Sequence, residues 1–243
     1  MDLMDRLSLF STLDQVAVAL LLLGWQGMGF WIENSGGRHP SVSWLMADYR
    51  RAWMQTMLDR DPRIFDSQIL AMLRQGTTFF ASATMIAMGG CMALLGNTDK
   101  LITLADDLTF DRTPEIVWEI KIILLLGFLA SAFFKFVWSN RLFAYCAVVM
   151  GTVPNDRNAP GGARRAAQAG ELNITAARSF NRGLRAIYFA LAAAAWLIGA
   201  EALIVGSVIV TVIVGRREFA SQSRRILLSN MPELSEDARR TGT

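Results

Sequence analysis

The chain has 243 residues, of which 53% are hydrophobic and only 19% charged, with a mean hydropathy of +0.32. Soluble domains carry about 25% charge, and here the charge is gathered into short stretches between long apolar runs. This excludes a water-soluble globular enzyme, a disordered chain and a disulfide scaffold, and it points to an all-α polytopic membrane protein.

The net charge is +3, from 24 Lys and Arg against 21 Asp and Glu, and almost all of the bases are Arg. Arginine's planar fork suits lipid phosphates and partner carboxylates. The single His39 and the two cysteines, Cys91 and Cys146, have no ligand or CxxC spacing. No metal or cofactor is expected from that inventory.

In chain order, the amino terminus lacks the basic region and cleavage site of a signal peptide, so the first apolar run is expected to be retained. Four runs approach the roughly 20 apolar residues that cross about 30 Å of hydrocarbon: 14–32, 76–96, 116–140 or longer, and 186–215. They predict a four-transmembrane-helix bundle in a single integral domain, 1–225, with a flexible tail over 226–243. The third span ends near Trp138 or continues through Met150. Between the first two runs, Trp44, Leu45, Tyr49, Trp53, Met54, Met57 and Leu58 follow helical spacing opposite Asp48, Arg50 and Arg51. This segment is either an interfacial amphipathic helix or one packed on the bundle or a partner. Asp61 and Pro62 read as an N-cap and first helical residue, from which a helix can run unbroken into the second span.

The loop over 97–115 is short and acidic, and the loop over 139–185 is Arg-rich. With four spans, the amino terminus, second loop and tail share one side with 9 Lys and Arg, against 13 on the other. Counting bases then places both termini outside, although Arg216 and Arg217 follow the last span closely and oppose that orientation.

A charge at the centre of a span costs about 2.5–3.5 kcal/mol. Asp14 stands at the mouth of the first span as a cap, and Lys121 near the start of the third can snorkel. Glu201 sits at the middle of the fourth run, and Lys135 reaches similar depth if the third span is long. They are expected either to form an intramembrane pair or to be satisfied separately. Ala83, Ala87 and Gly90, and Ala195, Gly199, Ala202 and Gly206, have the small-residue spacing that lets helices approach closely. Trp31, Trp118 and Trp138 fall near span ends as interfacial anchors, whereas Trp25 and Trp196 lie deeper.

Four blocks carry a resemblance: Arg60-Asp61-Pro62-Arg63-Ile64-Phe65-Asp66 leading to Gly76-Thr77-Thr78-Phe79-Phe80-Ala81-Ser82, Phe134 through Arg141, Phe180 through Phe189, and Arg216-Arg217-Glu218-Phe219. Over 13–225 the chain resembles the membrane-protein family known as domain of unknown function five-ninety-nine. The resemblance implies four membrane helices, brings no activity, and places Lys135 and Arg141 within a family block.

No HExxH, GxSxG, P-loop or dinucleotide fingerprint occurs, so no catalytic residue is expected. The sequence favours an accessory or structural subunit of the bacterial inner membrane, acting by packing and by binding anionic lipid. Arg50, Arg51, Arg141, Arg182, Arg185, Arg216 and Arg217 are its candidate lipid or partner contacts. The alternative is a small oligomeric channel or transporter that uses Glu201 and Lys135. Expected partners are membrane lipids and other membrane subunits or copies of the chain. Nucleic acid is not expected, because headgroups account for the juxtamembrane bases.

Overall fold

The computed structural model of the protein describes residues 9–36, 39–98 and 114–229. These contain α1 (Thr12–Glu33), α2 (Val42–Thr56), α3 (Ile64–Leu95), α4 (Glu115–Gly151), α5 (Gly162–Ala194), α6 (Ala200–Phe219) and α7 (Gln222–Ser229). Short 3-10 turns cover Met57–Asp59 and Ala195–Leu197. No strand occurs among the described residues. The acidic second loop, for most of its length, and the tail beyond residue 229 lie outside them.

Three helices, α1, α3 and α4, are long and apolar enough to cross a membrane. Only 22%, 11% and 33% of their most apolar windows is buried in the protein. Ile86 and Leu23 are exposed at 77% and 72%. Water would not tolerate so much contiguous apolar surface; hydrocarbon does. The helix of the third run takes the longer of its two expected courses, through Met150. The second span extends back to Ile64, so the helix does run unbroken from the turn after Arg60. It starts after Pro62, however, and Ser67 N–H returns to Arg63 C=O.

The fourth apolar run is a correction to the four-span reading. It is not one helix. α5 stops at Ala194, the chain turns through Ala195–Leu197, and α6 restarts at Ala200, with Leu203 N–H bonded to Gly199 C=O. Glu201 therefore lies in the first turn of α6, at an exposed position. A carboxylate is favoured there by the unpaired amides and the helix dipole.

The chain falls into two compact units that share the long helices. Unit 1 comprises Met1–Met28, Ala81–Phe134 and Gly183–Ile213; unit 2 comprises Gly29–Phe80, Lys135–Arg182 and Val214–Thr243. In unit 1, Leu21, Ile122, Phe128, Phe189, Trp196 and Leu203 form the core. The turned-back α6 lies close on α5: a Cβ on Gly206 would meet Ala192 Cα at 3.5 Å. That small-residue spacing is used within the chain. α1 starts with a reciprocal cap in which Asp14 N–H donates to Ser11 Oγ and Ser11 N–H returns to the Asp14 carboxylate.

Unit 2 is built on Met54, Met57, Leu142, Phe143, Cys146 and Met150. α2 supplies Met54 to this core, and Leu45 and Ala47 are also buried. Part of its apolar face is thus packed on the protein, as the second of the two expectations had it. Polar ties join its helices: Ser139 Oγ donates to Ala176 C=O at 2.7 Å, Ser179 Oγ to Lys135 C=O at 2.8 Å, and Asn140 Nδ2 to Thr78 Oγ1 at 2.7 Å. Phe80, Phe136 and Phe180 form a mutually contacting trio of rings.

Candidate functional site

The described residues include 18 Lys and Arg, and 16 of them belong to unit 2. The two in unit 1, Lys121 and Arg185, are both buried. Unit 2 therefore carries nearly all of the described basic side chains, and its arginines do different work.

Several hold the unit together. Arg182 grips Glu33 through two parallel contacts, Nε to Oε1 at 2.8 Å and Nη2 to Oε2, the fork geometry that fixes orientation as well as charge. This joins the end of α1 to α5, and Glu33 raises the Arg182 pKa above its ordinary value. Arg60 and Trp53 Nε1 both donate to Oδ1 of Asp66, which is fully buried. The second oxygen, Oδ2, has no hydrogen-bond partner among the described residues. Arg51 bridges Asp48 and Glu171 on the surface, where such pairs are worth little. Arg63 is consumed by the carbonyls of Val153 and Pro154 at 2.6 and 2.7 Å.

The others converge. Ser43, near the start of α2, donates its N–H and its hydroxyl to Glu218 Oε2 at 3.1 and 3.0 Å. Asn181 Nδ2 donates to Ser43 Oγ at 3.3 Å. The buried Glu218 thus serves as an acceptor for an α2 amide that has no partner within its own helix. Next to this network is a cleft of about 190 Å³ whose lining includes Arg50, Arg178 and Arg217. Arg50 donates to Asn173 Oδ1, and burial lowers its pKa from the ordinary value. Arg178 is exposed and makes no hydrogen bond or ion pair among the described residues. Arg178 thus leaves the cleft one guanidinium uncommitted among the described residues, a group suited to a phosphate or carboxylate.

Of the residues expected from sequence, Arg50 and Arg217 are brought together here. Arg141 pairs locally with Tyr145, Arg216 is exposed, and Arg185 is buried in unit 1. Trp138 is half exposed, and Trp31 stacks on Phe219 with ring centroids 4.4 Å apart. Trp118 is a correction: it is buried, and with Trp196 it covers Lys121 at 5.1 and 5.7 Å. Lys121, at 8% exposure, does not snorkel; the aromatic faces attract its charge instead. Trp196 also donates Nε1–H to Asp14 at 2.7 Å. The Lys135–Glu201 pair rested on Glu201 lying at mid-span. Glu201 instead lies in the first turn of α6, in unit 1, and Lys135 lies within α4, in unit 2. Sequence reasoning missed Ser43, Arg178, Asn181 and Glu218. Asn181 and Glu218 do fall in the blocks that carry the resemblance, and Arg178 and Asn181 stand three apart on a helix.

Among the described residues no group of three His, Cys, Asp or Glu could hold a metal ion. No curated protein and no solved structure matches the chain. A family match covers residues 16–223. The chain belongs to the family described as protein of unknown function, DUF599.

Proposed function

We propose that the protein is a non-catalytic, multi-pass protein of the bacterial inner membrane that works by assembly, as an accessory or structural subunit. In this reading α3 docks on a second membrane chain while the arginines of unit 2 bind anionic headgroups. The supporting observation is the outer face of α3. Ala83, Ala87 and Gly90 stand in small-residue spacing, all exposed, and a Cβ on Gly89 or Gly90 would meet nothing within 4 Å. Within hydrocarbon, close packing of small faces is what drives helices together. The corresponding Gly206 of α6 is met by Ala192 and Ala195 inside the chain, whereas Gly90 of α3 is open.

The chain reversal at 195–199 also bears on orientation. Three spans followed by a hairpin that enters and returns put the tail with the two long loops. Together these hold 19 Lys and Arg, against 3 in the amino terminus and second loop. Counting bases then places the amino terminus outside and the tail in the cytoplasm. This removes the conflict that Arg216 and Arg217 raised for a four-span chain.

The test is extraction of the wild type and Gly90→Leu from native membranes in mild detergent, with every co-eluting chain identified by mass spectrometry. A stoichiometric partner, lost in Gly90→Leu while the variant itself stays folded, is the expected result. An unchanged monomer in both would refute assembly through this face.

A further inference from the structure

Arg50 is a partly buried cation without a counter-charge. Its guanidinium donates to the amide oxygen of Asn173, a neutral group, and makes no ion pair among the described residues. Asp48, two residues before it, and Glu171, two before Asn173, are both engaged by Arg51. Burial lowers the Arg50 pKa, and no carboxylate among the described residues opposes that shift. A desolvated charge in this state is costly, and a bound anion relieves it.

Arg178 shares the cleft with Arg50. α2 and α5 run antiparallel there, since Asn181 meets Ser43 at one end and Asn173 meets Arg50 at the other. Arg178 belongs to the α5 wall between those two levels, is exposed, and makes no hydrogen bond or ion pair among the described residues. The carboxylate in the lining, Glu218, is buried at the Ser43 end, where it accepts from the Ser43 N–H and hydroxyl. Ser43 is about two helical turns from Arg50 along α2. Met46, Ala47 and Ile174 add an apolar wall, beside which charges attract more strongly than in water.

The volume of about 190 Å³ is below the range of drug-sized ligands and suits a single small group. Two guanidinium groups from facing helices match a tetrahedral group with nearly two negative charges and three acceptor oxygens. A phosphate monoester has both at neutral pH. A carboxylate offers one charge and two oxygens in a single plane.

We propose that this cleft binds a phosphate monoester, clamped between Arg50 of α2 and Arg178 of α5. The group is either free in solution or carried by a lipid such as phosphatidic acid. This narrows the headgroup-binding part of the reading above to one site and one chemical class, and rests on that part only for the lipid-borne source. It is independent of the docking face of α3.

The experiment uses the full chain, delipidated in mild detergent. Isothermal titration calorimetry measures inorganic phosphate and, as the planar control, acetate, at constant ionic strength. Native mass spectrometry measures phosphatidic acid and phosphatidylglycerol against phosphatidylcholine of the same chains. Wild type should bind one equivalent of inorganic phosphate, which identifies a soluble source, or should retain only phosphatidic acid above the other lipids, which identifies a lipid-borne one. Arg178→Gln, at an exposed position, should weaken that binding at least about tenfold, and Arg50→Gln should do the same. Arg216→Gln, outside the lining, should leave it unchanged. Circular dichroism and elution volume confirm that the variants are folded. Wild-type affinity in Arg178→Gln, no binding of either phosphate probe, or equal binding of acetate would overturn the clamp. A preference for both anionic lipids that survives the two substitutions would also overturn it, while leaving headgroup binding by other arginines in place. Binding of inorganic phosphate with no preference for anionic lipid would keep the clamp and reject headgroup binding.

Discussion

Asp66 is the residue on which unit 2 depends most visibly. It is fully buried, accepts from Trp53 and Arg60, and leaves Oδ2 without a protein partner among the described residues. Removing one member of a buried pair is costly because the other charge loses its compensation. Asp66→Ala should lower unfolding stability by about 3 kcal/mol, somewhat reduced because Arg60 can reach water. Trp53→Phe, which deletes one donor and keeps a smaller aromatic ring, should cost at least about 1 kcal/mol. Thermal unfolding in detergent, followed by circular dichroism, checks the order of the two. In unit 1 the corresponding residue is Trp196, which donates to Asp14 and covers Lys121. Trp196→Phe should also cost about 1 kcal/mol, by leaving one Asp14 oxygen short of a donor.

At the scale of elements, glycines with the same sequence signature have opposite roles. Gly206 faces Ala192 at van der Waals distance, whereas Gly90 faces open space. Gly206→Leu should destabilise the isolated protein by at least about 2 kcal/mol, through overpacking. Gly90→Leu should leave its melting temperature unchanged. Melting the two purified variants side by side measures this directly. The pair also shows where sequence reasoning stopped. Small-residue spacing identifies helices that can pack closely, but not which partner they meet. The spans of α1, α3 and α4 were legible because hydropathy over some 20 residues is a strong signal. The break at 195–199 was hidden, because Gly is common in membrane helices and no proline marks the turn. Glu201 held the clue: a carboxylate inside an apolar run was read as a buried charge, when it marked a helix start. Likewise the apolar face of α2 was visible from its spacing, yet Met54 shows that it packs on the protein's own core.

For the molecule as a whole, the segregation of charge is the leading fact. Sixteen of the 18 basic side chains described lie in one unit, and the exposed apolar surface of the three long helices calls for a hydrocarbon solvent. The candidate cleft was half legible. Arg50 and Arg217 stood out as juxtamembrane bases, but Ser43, Asn181 and Glu218 join them only through tertiary contacts between residues 138 to 175 positions apart in the chain. The orientation proposed above makes its own prediction. In a background lacking Cys91 and Cys146, Ser11→Cys should react with an impermeant thiol reagent added to whole cells. Ser229→Cys should react only after the cells are opened. Labelling of both from outside would restore the four-span orientation.

The central claim is that the face of α3 bearing Ala83, Ala87 and Gly90 docks on another membrane chain. The most direct measurement places a photo-crosslinking amino acid at Ala87 in native membranes, with Ala193, buried in the core of unit 1, as the control. The account predicts a discrete protein adduct at Ala87, identifiable by mass spectrometry, and none from Ala193. Adducts to lipid alone at Ala87 would contradict it.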